Sequence, residues 1–124
     1  MTNRRGLHYH LAMKDVEQRQ TGMRREQRVM LALHRALVAE LNRDPARVLE
    51  VGRQNISKRY LRAERLSPRY RSWLELWETA INEGPESVSE LAFKNGELGD
   101  DLRQVSPFAG ALTQEQRLLA LKNA

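Results

Sequence analysis

The stretch Ser67 to Gly84, SPRYRSWLELWETAINEG, constrains this chain more than any other. Ser67 offers an oxygen to the free amides of a helix start, and Pro68 suits the first helical position, where an amide would have no partner inside the helix. Gly84-Pro85 is the matching stop signal. Between these marks Tyr70, Trp73, Leu74, Trp77 and Ile81 recur at i, i+3, i+4, i+7 and i+11, which puts them on one stripe of a helix. Arg71, Glu75, Glu78 and Asn82 face the other way. Both tryptophans of the chain lie on the stripe, and side chains of that area need cover. The stripe therefore reads as the anchor of a core rather than as a ligand-stacking box.

The same punctuation continues in both directions. From Met23 to Arg43 the spacing is helical, with Val29, Met30, Leu33, Ala36, Leu37 and Leu41 on one face and His34 at its edge. Leu31 and Val38 lie off that face, so the helix is apolar around most of its circumference and predicts burial on two sides. Asp44-Pro45 restarts the chain, with Asp44 as the expected N-cap, in a helix running to about Ala63. Its stripe is Leu49, Gly52, Ile56, Tyr60 and Ala63. A glycine on a packing stripe costs helix propensity, so Gly52 predicts a close approach of a neighbouring helix. Glu86 to Lys94 reads as a short amphipathic helix stopped by Asn95-Gly96, and Asp100 to Gln104 as one more turn, which Ser106-Pro107 ends. Thr113 with Gln116 forms a capping box, and Leu118, Leu119 and Leu121 give the last helix its apolar side.

No segment alternates with period two, so strands are not expected. The fold class predicted is all-α, a small bundle of about four to six helices. Residues 23–124 form one helical domain, and residues 1–22 form an N-terminal arm, flexible or docked. His8 and His10 in that arm lack the further ligands that a metal site requires.

The function classes narrow by exclusion. The chain has no cysteine, which removes disulfides, thiolate metal sites and cysteine nucleophiles. Its glycines form no phosphate-binding pattern and its three histidines no H-E-x-x-H spacing. The expectation is a chain that is no enzyme and uses no cofactor or metal. No apolar run approaches the roughly 18 residues that span a bilayer, and the first residues lack a signal-peptide core. A cytoplasmic location with no membrane partner is expected.

Charge is segregated rather than mixed. Residues 43–71 carry nine Lys/Arg against three Asp/Glu, whereas residues 72–101 carry one against eight. Such blocks suit an anionic partner on one surface and a cationic one on another, or else neutralise each other within the fold. For nucleic acid the candidates are Arg47, Lys58 and Arg62 toward phosphates, joined by Arg59, Arg65 and Arg69, with Gln54 and Asn55 toward base edges. For a protein partner they are the carboxylates of the 83–101 block, with Glu90, Glu97, Asp100 and Asp101, and the turn from Ser106 to Gly110. The two-sided apolarity of Val29 to Leu41 places that helix at the centre of the bundle or, alternatively, sets one of its faces against a second copy of the chain.

Leu33-His34-Arg35-Ala36, Asp44-Pro45 with its following helix, Tyr70 and Trp73 ahead of Trp77, and the tail Leu102 to Thr113 with Arg117 carry a resemblance. Together they resemble small bacterial all-helical proteins of toxin-antitoxin gene pairs, over residues 30–120. The most specific part is L-R-x-x-S-P-F-A-G-x-L. The resemblance implies an antitoxin-like protein that binds and neutralises a toxin, with Leu102, Arg103, Ser106, Pro107 and Phe108 among the contact residues. The alternatives are a basic helical DNA-binding regulator and a helical subunit of a larger assembly.

Overall fold

The computed structural model describes residues 24–62 and 66–124. The expected arm over residues 1–22, with His8 and His10, lies outside them, as do Ala63 and Arg65. The described residues form an all-α bundle without strands: α1 (Arg25–Arg43), α2 (Pro45–Leu61), α3 (Pro68–Glu83), α4 (Pro85–Ala92), α5 (Gly96–Gln104) and α6 (Gln114–Lys122). None of these helices is long and apolar enough to cross a membrane.

Local chemistry sets most of the boundaries. Ser67 Oγ accepts from the Tyr70 amide at 3.1 Å, with Pro68 as the first residue of α3. Thr113 Oγ1 accepts from the Gln116 amide at 3.1 Å, and Gln116 Oε1 accepts from the Thr113 amide at 2.7 Å, closing the capping box of α6. Gly84 ends α3 with φ +123°, a conformation open to glycine at little cost, and Pro85 begins α4 directly. Asp44 departs from expectation. Its side chain makes no capping bond and lies 3.4 Å from Arg47 Nε, so the following arginine takes the carboxylate from the helix amides. The turn expected over Asp100 to Gln104 is a longer helix, beginning at Gly96.

The central element is α1, which packs against α2, α4, α5 and α6. Leu37 and Leu41 from α1 meet Val48, Leu49 and Ile56 from α2, Trp77 and Ile81 from α3, Val88 and Ala92 from α4, and Leu102 from α5. Trp77 is fully buried and donates from Nε1 to the Leu102 carbonyl at 3.0 Å. The Phe108 ring meets it edge-on, with centroids 5.6 Å apart. Tyr70 and Trp73, on the same stripe, are only half-buried.

Gly52 makes the predicted close approach. A methyl group there would lie 2.7 Å from both Ile81 Cδ1 and Phe108 Cε1, so the missing side chain leaves the notch that seats the Phe108 ring. Gly99 is a second such point, which its sequence context did not mark. A side chain on it would run into the Lys94 carbonyl group, closing off the approach between α5 and the end of α4.

Candidate functional site

The segment between α5 and α6 has little regular structure, so its carbonyls need donors from elsewhere. Side chains of α2 supply them. Asn55 Nδ2 donates to the carbonyls of Pro107 and Ala109 at 2.8 and 2.9 Å. Arg59 donates to the carbonyls of Val105 and, at 2.9 Å, Ser106. Arg47 Nη2 reaches the Ala111 carbonyl at 3.0 Å. The polar side of α2 thus cradles the S-P-F-A-G turn. Asn55, expected to reach toward base edges, and Arg59, expected on a phosphate ridge, are turned onto the protein's own backbone.

The contact residues implied by the resemblance lie in or next to the same cradle. Leu102, Pro107 and Phe108 are buried in the core, where their apolar surface is already covered. Arg103 is buried as well. Its Nη1 donates to the carbonyls of Ala92 and Lys94 at 3.0 and 2.8 Å, closing the C-terminal end of α4, and its Nη2 donates to Asp100 at 2.9 Å. Ser106 is half-buried, with its carbonyl held by Arg59. Four of these five residues are buried and help to hold the tail in place, and Ser106 keeps part of its surface.

The acidic candidates divide. Glu90 and Glu97 are exposed. Asp100 is half-buried between Arg103 and Arg24, the latter at 3.1 Å, and Asp101 is half-buried beside it. The basic candidates divide too. Arg47 is held by Glu40, Asp44 and the Ala111 carbonyl, and Gln54 donates to Glu50 at 3.2 Å. Lys58 and Arg62 are exposed, with no side-chain hydrogen bond or ion pair among the described residues.

Glu40 was not singled out by the sequence, yet it ties three helices together. Its carboxylate accepts from Arg43 in its own helix, from Arg47 Nη2 of α2 at 2.6 Å and from Gln116 Nε2 of α6 at 3.0 Å. The bonds from the two arginines outweigh desolvation and hold its pKa down to about 2. A glutamate on the apolar side of a helix followed at i+3 and i+7 by arginines was the available signal. His34 was expected at the boundary and is instead buried, 4% exposed, with Nδ1 on the Met30 carbonyl at 2.8 Å. Burial lowers its pKa below 6.5, and the neighbouring Arg103 charge acts in the same direction.

The largest departure is α6. Ala120 is its buried residue, whereas Leu118, Leu119 and Leu121 are 56%, 62% and 40% exposed. Successive residues of a helix are about 100° apart, so an inward Ala120 forces the flanking leucines outward. Inversion follows from the surface it meets. Together with Ala120, the residues Ala32, Ala36 and Ala39 of α1 line a groove of about 510 Å³ between the two helices. Small side chains on both sides let the backbones approach, and leucines on that line would hold them apart. Leu119 stands at the groove, and Arg35 and Arg43 line it and are exposed. No family model, curated protein or solved structure matches the chain.

Proposed function

We propose that this chain is a non-catalytic helical module that binds another protein, as the antitoxin-like member of a toxin-antitoxin pair. The observation that carries this reading is the inverted face of α6: three exposed leucines, one of which, Leu119, borders an alanine-lined groove. Large apolar side chains left exposed at a groove are a mark of protein contact sites. Arg35 and Arg43, exposed along that groove, favour a definite occupant, a partner helix with large apolar side chains on one face and Asp or Glu at its margin. The resemblance of the L-R-x-x-S-P-F-A-G-x-L tail supplies the antitoxin part of the reading. Exposed Glu90 and Glu97 lie on other helices and are available to a cationic part of the same partner.

Co-expression with the product of the neighbouring gene is the test. The wild-type chain is expected to copurify with that product and to relieve its inhibition of growth. A Leu118→Glu, Leu119→Glu variant is expected to keep its helical circular dichroism, because both side chains are exposed, and to lose the complex. Failure of the wild-type chain to bind or to relieve inhibition rejects the reading. Undiminished binding by the double variant rejects α6 as the docking face, and dimerisation of the chain alone that the variant abolishes assigns the face to a second copy.

A second reading, a DNA-binding regulator, is favoured by Lys58 and Arg62, exposed at the C-terminal end of α2. It predicts duplex binding that weakens steeply with salt and weakens further in Lys58→Ala, Arg62→Ala. Binding that is absent or insensitive to salt removes it.

A further inference from the structure

Residues 72–94, which make up most of α3 and all of α4, carry five carboxylates against the single cation of Lys94. Glu75, Glu78, Glu83, Glu86 and Glu90 are all exposed, and none of their side chains has a hydrogen bond or ion pair among the described residues. Glu86 and Glu90 stand one helical turn apart, a like-charge spacing that costs helix stability unless a cation compensates it.

The same two helices leave apolar surface open beside these charges. Trp77 points into the core, and Leu76, about 100° around the helix from it, is left at the surface, 41% exposed. Leu76, Thr79, Ala80 and Glu83 follow one another on α3 at i, i+3, i+4 and i+7, and Ser87, Glu90, Leu91 and Lys94 repeat that spacing at α4. Both stripes border one groove of about 270 Å³. Ala80 is buried, and Leu91 is half-buried with its inner side on the core. The groove thus has apolar side chains between two carboxylates, Glu83 and Glu90, with Lys94 as its one cation.

Shape and charge together select an occupant. The walls are rows of helical side chains, into which the rows of another helix interdigitate. No strand edge is present among the described residues to take up an extended peptide by strand addition. The apolar positions suit large aliphatic side chains, and the uncompensated carboxylates suit Lys or Arg. The groove between α1 and α6, lined by Arg35 and Arg43, has the opposite charge preference.

We infer that the groove between α3 and α4 docks a cationic amphipathic helix of a partner protein, its aliphatic side chains on Leu76, Ala80 and Leu91 and its Lys or Arg residues opposite Glu83 and Glu90. The inference extends the protein-binding reading to a second face, and it stands if α6 fails as a docking face, since its test needs neither α6 nor a neighbouring gene product. The competing occupant is α6 of a second copy, whose exposed leucines lie between Arg117 and Lys122.

The test is titration of the full chain into a labelled synthetic helix of leucine and lysine. Two comparators accompany it: a peptide with glutamate in place of every lysine, and one of identical composition whose order scatters the leucines around the helix. Fluorescence anisotropy reports affinity, and NMR shifts of the Leu76 and Leu91 methyl groups report the site. Expected is saturable binding of the first peptide, about tenfold tighter than that of either comparator, with both pairs of methyl resonances moving. Leu76→Ser and the double variant Glu83→Lys, Glu90→Lys change exposed positions, so each is expected to keep its helical circular dichroism and to weaken binding about tenfold. The charge-reversed variant should take up the glutamate peptide instead. Equal binding of the scattered peptide shows bare charge attraction and overturns the inference, as do binding that either variant leaves unchanged and methyl resonances that stay still. Concentration-dependent self-association of the chain alone, abolished by Leu76→Ser and by Leu118→Glu alike, assigns the groove to α6 of a second copy and also overturns it.

Discussion

At the scale of single residues, Glu40 makes the clearest prediction. Its folded pKa of about 2 lies below the ordinary 4.5, so its ionised form is favoured by folding. That contribution is complete above pH 4.5 and is lost as the pH falls toward 2. Glu40→Gln should accordingly lower the thermal midpoint near neutrality, and the gap between variant and wild type should close over this acid window. A gap constant with pH would show that the carboxylate's charge contributes nothing. His34 adds a slope of the same sign at higher pH, because below 6.5 the unfolded chain takes up a proton that the buried ring resists. Gly52 tests geometry instead of charge. Gly52→Ala gains about 1 kcal/mol of helix propensity but overpacks against Ile81 and the Phe108 ring, at a cost of about 1–3 kcal/mol. Chemical denaturation should report a net loss, and a gain would show that the Phe108 ring yields freely.

Among the elements, α3 is the one most fully legible in the sequence. Ser67, Pro68 and Gly84 act within a few residues of their own positions, and the burial of Trp77 follows from spacing alone. Trp77→Ala is expected to cost about 3–5 kcal/mol of stability by denaturant titration, because it removes a fully buried ring together with its bond to Leu102. A loss below about 1 kcal/mol would mean that the core refills the space. The elements read less well are those whose exposure depends on a distant neighbour. On α2 the wheel identifies a polar side but not what covers it, and the cover for Asn55 and Arg59 comes from a turn 46 to 54 residues later. On α6 three leucines outweigh one alanine in any hydropathy average, yet the alanine goes inward because the facing surface of α1 is also made of alanines. Asp44 illustrates the same limit over a short distance, where a competing arginine takes a carboxylate from its cap. The tail motif shows the limit again, since its spacing did not reveal that Leu102, Arg103, Pro107 and Phe108 are buried in the packing.

For the molecule as a whole, the bundle joins a strongly basic block to a strongly acidic one without making their attraction the basis of its core. The described ion pairs lie mostly within a helix or at its end, as with Arg43 and Arg53, and few of them cross between distant segments. Salt should therefore affect binding by this protein more than its folding: moderate salt is expected to leave the denaturation midpoint nearly unchanged, and a large shift would reveal long-range attraction between the blocks.

The cradle formed by Asn55, Arg59 and Arg47 also has a consequence in time. Its hydrogen bonds join positions 46 to 64 residues apart, so none of them can form until the acceptors between Val105 and Ala111 have left the ribosome. Until then Asn55 and Arg59 have no acceptor on the tail, Arg47 is held by Glu40 and Asp44 alone, and the glycine notch has no ring to fill it. A chain cut after Gln104 should in consequence be a loose, protease-sensitive intermediate rather than a smaller native protein, with broad amide resonances along α2. Addition of residues 105–124 as a separate peptide should sharpen those resonances by supplying the acceptors and the Phe108 ring that α2 lacks.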